Sequence, residues 1–189
     1  ARTQALATGP DPDVRIRLLR QAASVALQQL GDGAQAEGFL RRLLAIDPTD
    51  EAALDSLEGC LRQRGSHAQV VEVLRQKVEL AATPARRIEL LHGIGEVLDL
   101  SLDQQDEAIL AYRAILEIDD RESRALDALE RILESNERFA DLIPILQHRA
   151  DGAGTVEQRK RLLERIATVH DTQLGQAEEA IGAWRSILD

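Results

Sequence analysis

Asp106-Glu107-Ala108-Ile109-Leu110-Ala111-Tyr112-Arg113-Ala114-Ile115-Leu116-Glu117-Ile118-Asp119 is the stretch whose reading decides the fold. Its apolar residues fall three and four apart, the spacing of one helix face. The stretch is not unique. Ala36, Leu40 and Ile46-Asp47-Pro48 echo it upstream, and Glu179-Ala180-Ile181, Trp184-Arg185 and Ile187-Leu188 echo it downstream, each 72 residues away without insertion. The same register holds elsewhere: Arg15, Leu18 and Leu19 return as Arg87, Leu90 and Leu91 and again as Arg159, Leu162 and Leu163, and Leu54, Asp55, Leu57 and Glu58 return as Leu126, Asp127, Leu129 and Glu130. A long gapless period marks a solenoid, in which each unit stacks on its neighbours. Function is then sought on a repeated surface rather than in one pocket.

Composition agrees. Apolar residues make up 44% of the 189 and aromatics 2%, which suits thin layers of Leu, Ile, Val and Ala between helices. The pattern predicts helices near 13–29, 34–46, 50–64, 67–80, 84–100, 105–118, 122–135, 139–149, 156–172 and 177–188, after an irregular tail over 1–12. Gly31-Asp32-Gly33, Gly65-Ser66 and Ser135-Asn136 supply turns, and Asp47-Pro48-Thr49-Asp50 closes one hairpin and caps the next helix. Pro144 is expected near enough to the start of its helix for its missing N–H to matter little.

The net charge of −10 argues against phosphate backbones as partners, so no nucleic acid is expected. No apolar run has the length of a membrane span and no signal peptide is visible, so no membrane insertion is expected and a cytoplasmic location is favoured. The chain has no methionine, begins Ala1-Arg2-Thr3 and stops within the repeat, which reads as a segment of a longer array; Lys77 and Lys160 are its only lysines against many arginines, a bias that points to a GC-rich bacterial genome. Cys60 stands where the next repeat has Ile132 and is read as a core residue.

Sites for chemistry are not found. His67, His92, His148 and His170 do not recur at equivalent positions, and His92 with Glu96, one helical turn apart, supplies only two ligands, so no metal is expected. Gly31 and Gly33 form a lone G-x-G without a preceding strand, no Walker motif, nucleophile elbow or Cys-His pair is present, and no cofactor or enzymatic activity is expected.

The two hairpins of each 72-residue module resemble the tetratricopeptide repeat: Ala108 stands at the small position of its second helix with Tyr112 one turn later, and Leu54, Leu57, Leu61 and Gly65 or Ile94-Gly95 stand at positions of its first. The resemblance covers about residues 13–189 and implies an all-α, right-handed superhelical solenoid of about five antiparallel hairpins. Two departures bear on packing. Odd hairpins are longer between their helices, and Val70 and Leu142 stand where odd hairpins have Ala36, Ala108 and Ala180, so tight and wide crossings are expected to alternate. Glu58 and Glu130 sit at a crossing where the motif has Gly or Ala; each is either a partly exposed carboxylate or an ion pair with an arginine of the preceding helix, Arg41 or Arg113.

In that family the first helices line a concave groove that takes a peptide or helix of a protein partner. Carried onto this sequence, the lining is Arg17, Arg20, Ser24, Asp55, Arg62, Glu89, His92, Glu96, Asp99, Arg124, Asp127, Arg131, Arg161, Glu164 and Thr168. Its acidic centre favours a partner with a basic middle. The function implied is a protein-interaction scaffold. A self-assembly module acting through Trp184, Ile187 and Leu188, and a regulatory arm of a larger enzyme or signalling protein, are the alternatives.

Overall fold

The computed structural model describes residues 11–188, so the tail expected over 1–12 lies almost wholly outside the described residues. Ten α-helices follow one another: α1 (Pro12–Gln28), α2 (Gly33–Leu44), α3 (Glu51–Gln63), α4 (His67–Leu80), α5 (Pro84–Leu100), α6 (Gln105–Leu116), α7 (Ser123–Ser135), α8 (Phe139–Asp151), α9 (Val156–Thr168) and α10 (Ala177–Leu188). No strand occurs among the described residues. The starts of α2, α6 and α10 are 72 apart, and α3 and α7 keep the same spacing at both ends.

The chain divides into two compact units, Ala1–Asp103 and Gln104–Asp189. In the first, α1 to α5 pack each on the next; in the second, α6 to α10 do the same. The inward faces are the apolar stripes of the sequence. Leu40, Leu43, Leu54, Leu57, Leu61, Val70 and Leu74 are buried in the first unit, and Tyr112, Ile115, Leu126, Leu129, Leu133, Leu142 and Leu146 in the second. Cys60 is 2% exposed and Ile132 is fully buried, so the thiol does pack as a core side chain; burial, then the nearby Glu37 charge, raises its pKa. Ala36 and Ala180 are buried where their helices meet, as are Val70 and Leu142.

Helix starts follow local chemistry. The side chains of Asp11, Asp32, Asp50 and Glu122 accept a backbone N–H in the first turns of α1, α2, α3 and α7, and Thr83 and Thr155 do so for α5 and α9. Between helices, positive φ recurs at two registers of the 72-residue repeat: Gly31, Asp103 and Gly175 have φ of 63°, 54° and 65°, and Gly65 and Glu137 have 68° and 54°. Glycine adopts this conformation without strain; Asp103 and Glu137 do not.

Two local features depart from the expected pattern. Pro144 is the sixth residue of α8, beyond the four N–H groups that lack intrahelical partners, so the Ala140 carbonyl loses a helical donor. Both residues are exposed, so that carbonyl is open to solvent. The helix that α9 begins is not α-helical to its end: Val169–Gln173 form a π turn, closed by Leu174 N–H donating to the Val169 carbonyl at 3.1 Å. The ends of α1 and α5 show the same widening for one residue, Leu30 to Val25 and Leu102 to Val97.

Candidate interaction surface

Glu58 lies on α3 and Glu130 on α7, each on the flank where the partner helix of the hairpin crosses, and their side chains are 16% and 14% exposed. A carboxylate so far out of water requires cations and hydrogen bonds. Both have them, but the partners are not the expected arginines. Lys77 on α4 donates to Glu58 Oε2 at 2.7 Å and to Asp55 Oδ1 at 2.6 Å. Arg149 on α8 bonds Glu130 Oε2 and Asp127 Oδ1, both at 2.7 Å. Lys77 and Arg149 occupy one register of the repeat, as do the two acids that each holds. Arg41 instead pairs with Glu37 on its own helix at 2.9 Å, and Arg113 lies 3.8 Å from Asp141 on α8. The crossing carboxylate therefore points toward the following helix of its own hairpin, where a long side chain can reach it.

A second cation completes each cluster by a different route. In the first unit Arg62, one turn along α3, donates to Glu58 Oε1 at 2.8 Å. Its guanidinium extends beside Gly93 of α5, 4.0 Å from where a Cβ at that glycine would stand. In the second unit the register of Arg62 holds Glu134 and the register of Gly93 holds Arg165, whose guanidinium bonds both Glu130 and Glu134. Burial alone would raise the Glu58 pKa, but the hydrogen bonds from Lys77 and Arg62 outweigh it and hold the carboxyl below its usual range. For Lys77 burial would lower the pKa, and Asp55 with Glu58 outweigh it and raise it. Asp50 is treated likewise: buried, and then hydrogen-bonded by Arg20 and the Ala53 N–H, it is held low.

Beside each cluster lies a cleft between the start of the odd helix and the loop before it. In the second unit it measures about 620 Å³ and is lined by Arg121, His148, Arg149, Gly152, Gly154 and Arg161. Its counterpart in the first unit, lined by Lys77, Leu80, Ala82, Arg86 and Leu90, measures about 270 Å³. Leu80 and Ala82 fill space that Gly152 and Gly154 leave open. The even helix is tied to the preceding loop alike in both units: Gln76 Nε2 donates to the Pro48 carbonyl at 3.1 Å, and His148 Nε2, which lines the larger cleft, to the Asp120 carbonyl.

Of the groove residues implied by the sequence, Arg17, Ser24, Glu89, Glu96, Arg124, Arg131, Arg161, Glu164 and Thr168 are exposed, and Asp99 is half-buried. His92 is a correction: at 4% exposure its ring is inside and presents nothing to a partner. Its neighbours Leu90 and Ile94 are buried too, because the inward stripe of α5 is wide. Exposure does not mean freedom from partners: Arg20, Asp55, Arg62, Asp127, Glu89 and Arg161 are exposed and also engaged, with Asp50, Lys77, Glu58, Arg149, Arg86 and Glu157 respectively. The sequence reading passed over Lys77, Arg149 and Arg165, although a cation recurring 72 residues on with Asp55 and Asp127 was a usable signal. At the far end, Ile181 is 50% and Trp184 46% exposed and Ile187 is half-buried, while the side chain of Leu188 lies outside the described residues. No group of three or more His, Cys, Asp or Glu among the described residues is placed to hold a metal, and no described helix is long and apolar enough to cross a membrane.

No family model matches the sequence, and no curated protein matches it. Solved structures do. A tetratricopeptide repeat protein from Parabacteroides merdae superposes with a TM-score of 0.52 at 12% identity, over 93% of this chain and 79% of that one. A structure of MamA superposes with a TM-score of 0.51 at 18% identity, over 93% of this chain and 91% of the other. Identity this low speaks for architecture alone, and the architecture is that of an all-α, tetratricopeptide-like solenoid.

Proposed function

We propose that this chain is a protein-interaction scaffold, in which the polar faces of α1, α3, α5, α7 and α9 receive a peptide or helical segment of a partner. The observation that carries the reading is the division of labour on these helices. Their apolar stripes are spent on the core, while Arg17, Ser24, Glu89, Glu96, Arg124, Arg131, Arg161 and Glu164 are held out to solvent on a framework that ion pairs and caps keep in place. Charged side chains on a rigid scaffold give a partner its register and specificity more than its raw affinity. The reading assigns no residue a catalytic role. The concave arrangement of these faces, and a partner with a basic segment opposite Glu89 and Glu96, are parts of the proposal.

Charge reversal on α7 tests it. Arg124→Glu with Arg131→Glu is expected to abolish capture of the partner from a lysate of the source organism while leaving the thermal unfolding midpoint close to that of the parent. Retention of the same captured protein by the doubly reversed chain overturns the reading.

A further inference from the structure

The cleft of the second unit departs from its counterpart in the first, and the changes together make it wider and more cationic. Gly152 and Gly154 stand for Leu80 and Ala82, Arg121 and Arg161 for Thr49 and Glu89, and His148 for Gln76. A cleft of about 270 Å³ becomes one of about 620 Å³. Only the larger falls in the range of small-ligand sites, about 300–1,000 Å³.

Neither glycine is required by the backbone. Positive φ among the described glycines belongs to Gly31, Gly65 and Gly175. A Cβ at Gly152 would stand 3.5 Å from the His148 carbonyl oxygen, and one at Gly154 3.7 Å from Gln158 Oε1, both ordinary contacts. Glycine costs chain entropy, and what its missing side chain supplies here is an open floor. Leu162 is half-buried and Leu126 is 7% exposed, where Leu90 is 4% exposed and Leu54 fully buried.

The walls are fixed in advance. Arg121 N–H donates to Asp119 Oδ1 at 3.0 Å and His148 Nε2 to the Asp120 carbonyl, while the N–H groups of Gly152 and Ala153 donate to the His148 and Ala150 carbonyls at 3.1 and 3.3 Å. A ligand is spared the cost of ordering these loops. Arg149 is held by Glu130 and Asp127, so the cations left for a ligand are two: Arg121, which makes no ion pair among the described residues, and Arg161, which lies 3.9 Å from Glu157. In the first unit the register of Arg161 is Glu89, which takes up Arg86 at 2.6 Å; here Gln158 stands for Arg86 and that pair is gone.

We infer that this cleft binds a small organic acid with one carboxylate and a short apolar body. The body lies on Leu126, Leu162 and Ala153, and the carboxylate meets the guanidinium forks of Arg121 and Arg161. A single charge fits because Asp120 and Asp151 share the lining and repel a dianion more strongly. A peptide fits less well, since the Gly152 and Ala153 N–H groups are already spent and an apolar floor leaves its backbone unserved. The site stands apart from the partner-binding faces above and shares only Arg161 with them.

Hexanoate titrated into the isotope-labelled chain is the test, with hexanamide, acetate and inorganic phosphate as controls and the amide resonances of Gly152, Gly154 and Leu162 as the readout. Saturable shifts at these amides are expected with hexanoate and not with the controls. Gly152→Leu with Gly154→Ala, which writes the residues of the first unit into the cleft, is expected to abolish binding while the thermal midpoint holds or rises. Arg121→Gln and Arg161→Gln are each expected to weaken binding about tenfold by removing a charge-assisted contact. Both positions are exposed, so these variants carry the test if the filled chain fails to fold. An absence of shifts with hexanoate overturns the inference, as does hexanoate binding that survives in the filled and folded chain. Equal shifts with acetate or phosphate overturn it by marking a plain anion site, and tighter binding of an acetylated, amidated Leu-Glu-Leu peptide does so by marking a peptide site. Arg124 and Arg131 stay unchanged throughout, so failure here leaves the partner-binding reading standing, and the reverse.

Discussion

Glu58 in the first unit and Glu130 in the second stand at the same place in the repeat, and each is neutralised twice, but only one of the two cations is shared in register. Lys77 and Arg149 reach across from the second helix of the hairpin. The other cation is Arg62, from the carboxylate's own helix, in one unit and Arg165, from the next hairpin, in the other. Where Arg62 occupies the space, the facing position is Gly93; where that position is Arg165, the residue in Arg62's place is Glu134. The repeat thus holds to an electrostatic requirement while residue identities trade places. The requirement is physical, because a mostly buried carboxylate stripped of its partners is costly in either unit.

The largest expected effect breaks the shared member. Lys77→Ala should cost about 3 kcal/mol, since Lys77 is nearly buried and its loss leaves Glu58 short of a partner. Arg149→Ala should cost less, about 1–2 kcal/mol, because its side chain is 31% exposed and Arg165 remains on Glu130. Urea unfolding of both variants measures the difference; equal losses would mean the two clusters are equally buried in effect.

Acid tests the first unit next. Asp50 and Glu58, both in the first unit, have pKa values depressed in the fold, so their contribution is present above the unfolded carboxylate value of about 4 and is lost as pH falls through the folded values. Lys77 works in the opposite sense: its raised pKa gives stability present below the unfolded value of about 10.4 and lost as pH rises through the folded one. Amide exchange measured at neutral pH and near pH 3 should show protection of α3 and α4 falling with acid, and falling less in Lys77→Ala.

A transplant sharpens the comparison. Arg62→Glu should cost about 1 kcal/mol by placing like charge beside Glu58, and Gly93→Arg added to it should recover most of that by recreating the arrangement of the second unit. Gly93→Ala in the same background separates helix propensity from charge, since a Cβ there meets Leu74 at an ordinary 3.5 Å. The smallest effect concerns the loops. Glu137→Gly should stabilise by about 0.5–1 kcal/mol, relieving a φ of 54° that Gly65 takes without strain at the same register.

The helices were legible because spacing of apolar residues is a one-dimensional signal, and Ala108, Tyr112 and Ile115 are buried as that signal requires. The need of Glu58 for a cation was legible too, since a charged residue at an apolar register must be compensated. Which cation was not, because periodicity tells which face a side chain leaves from and not what crosses above it; Lys77 and Arg149 are 19 residues along the chain from their acids. Pro144 was judged too leniently although its helix starts at 139 as expected, because the sixth position already lies past the N–H groups that lack intrahelical partners. Positive φ at Asp103 and Glu137 escaped a search for glycine, though the 72-residue register tied both to Gly31 and Gly65. The reverse failure is His92, whose polarity suggested a surface and whose neighbours put it inside.

Cys60, 2% exposed on α3, is the chain's sole thiol, and Trp184 on α10 its sole indole. Each half of the molecule therefore carries a private clock. A disulfide reagent can modify Cys60 only when α3 swings out of its layer, so the modification rate against reagent concentration times excursions of the first half, while Trp184 watches the second. If the two signals decay together, the halves melt as a single cooperative body; if the thiol is labelled while the indole spectrum stands still, the array comes apart in sections, as linear chains of nearest neighbours are able to do.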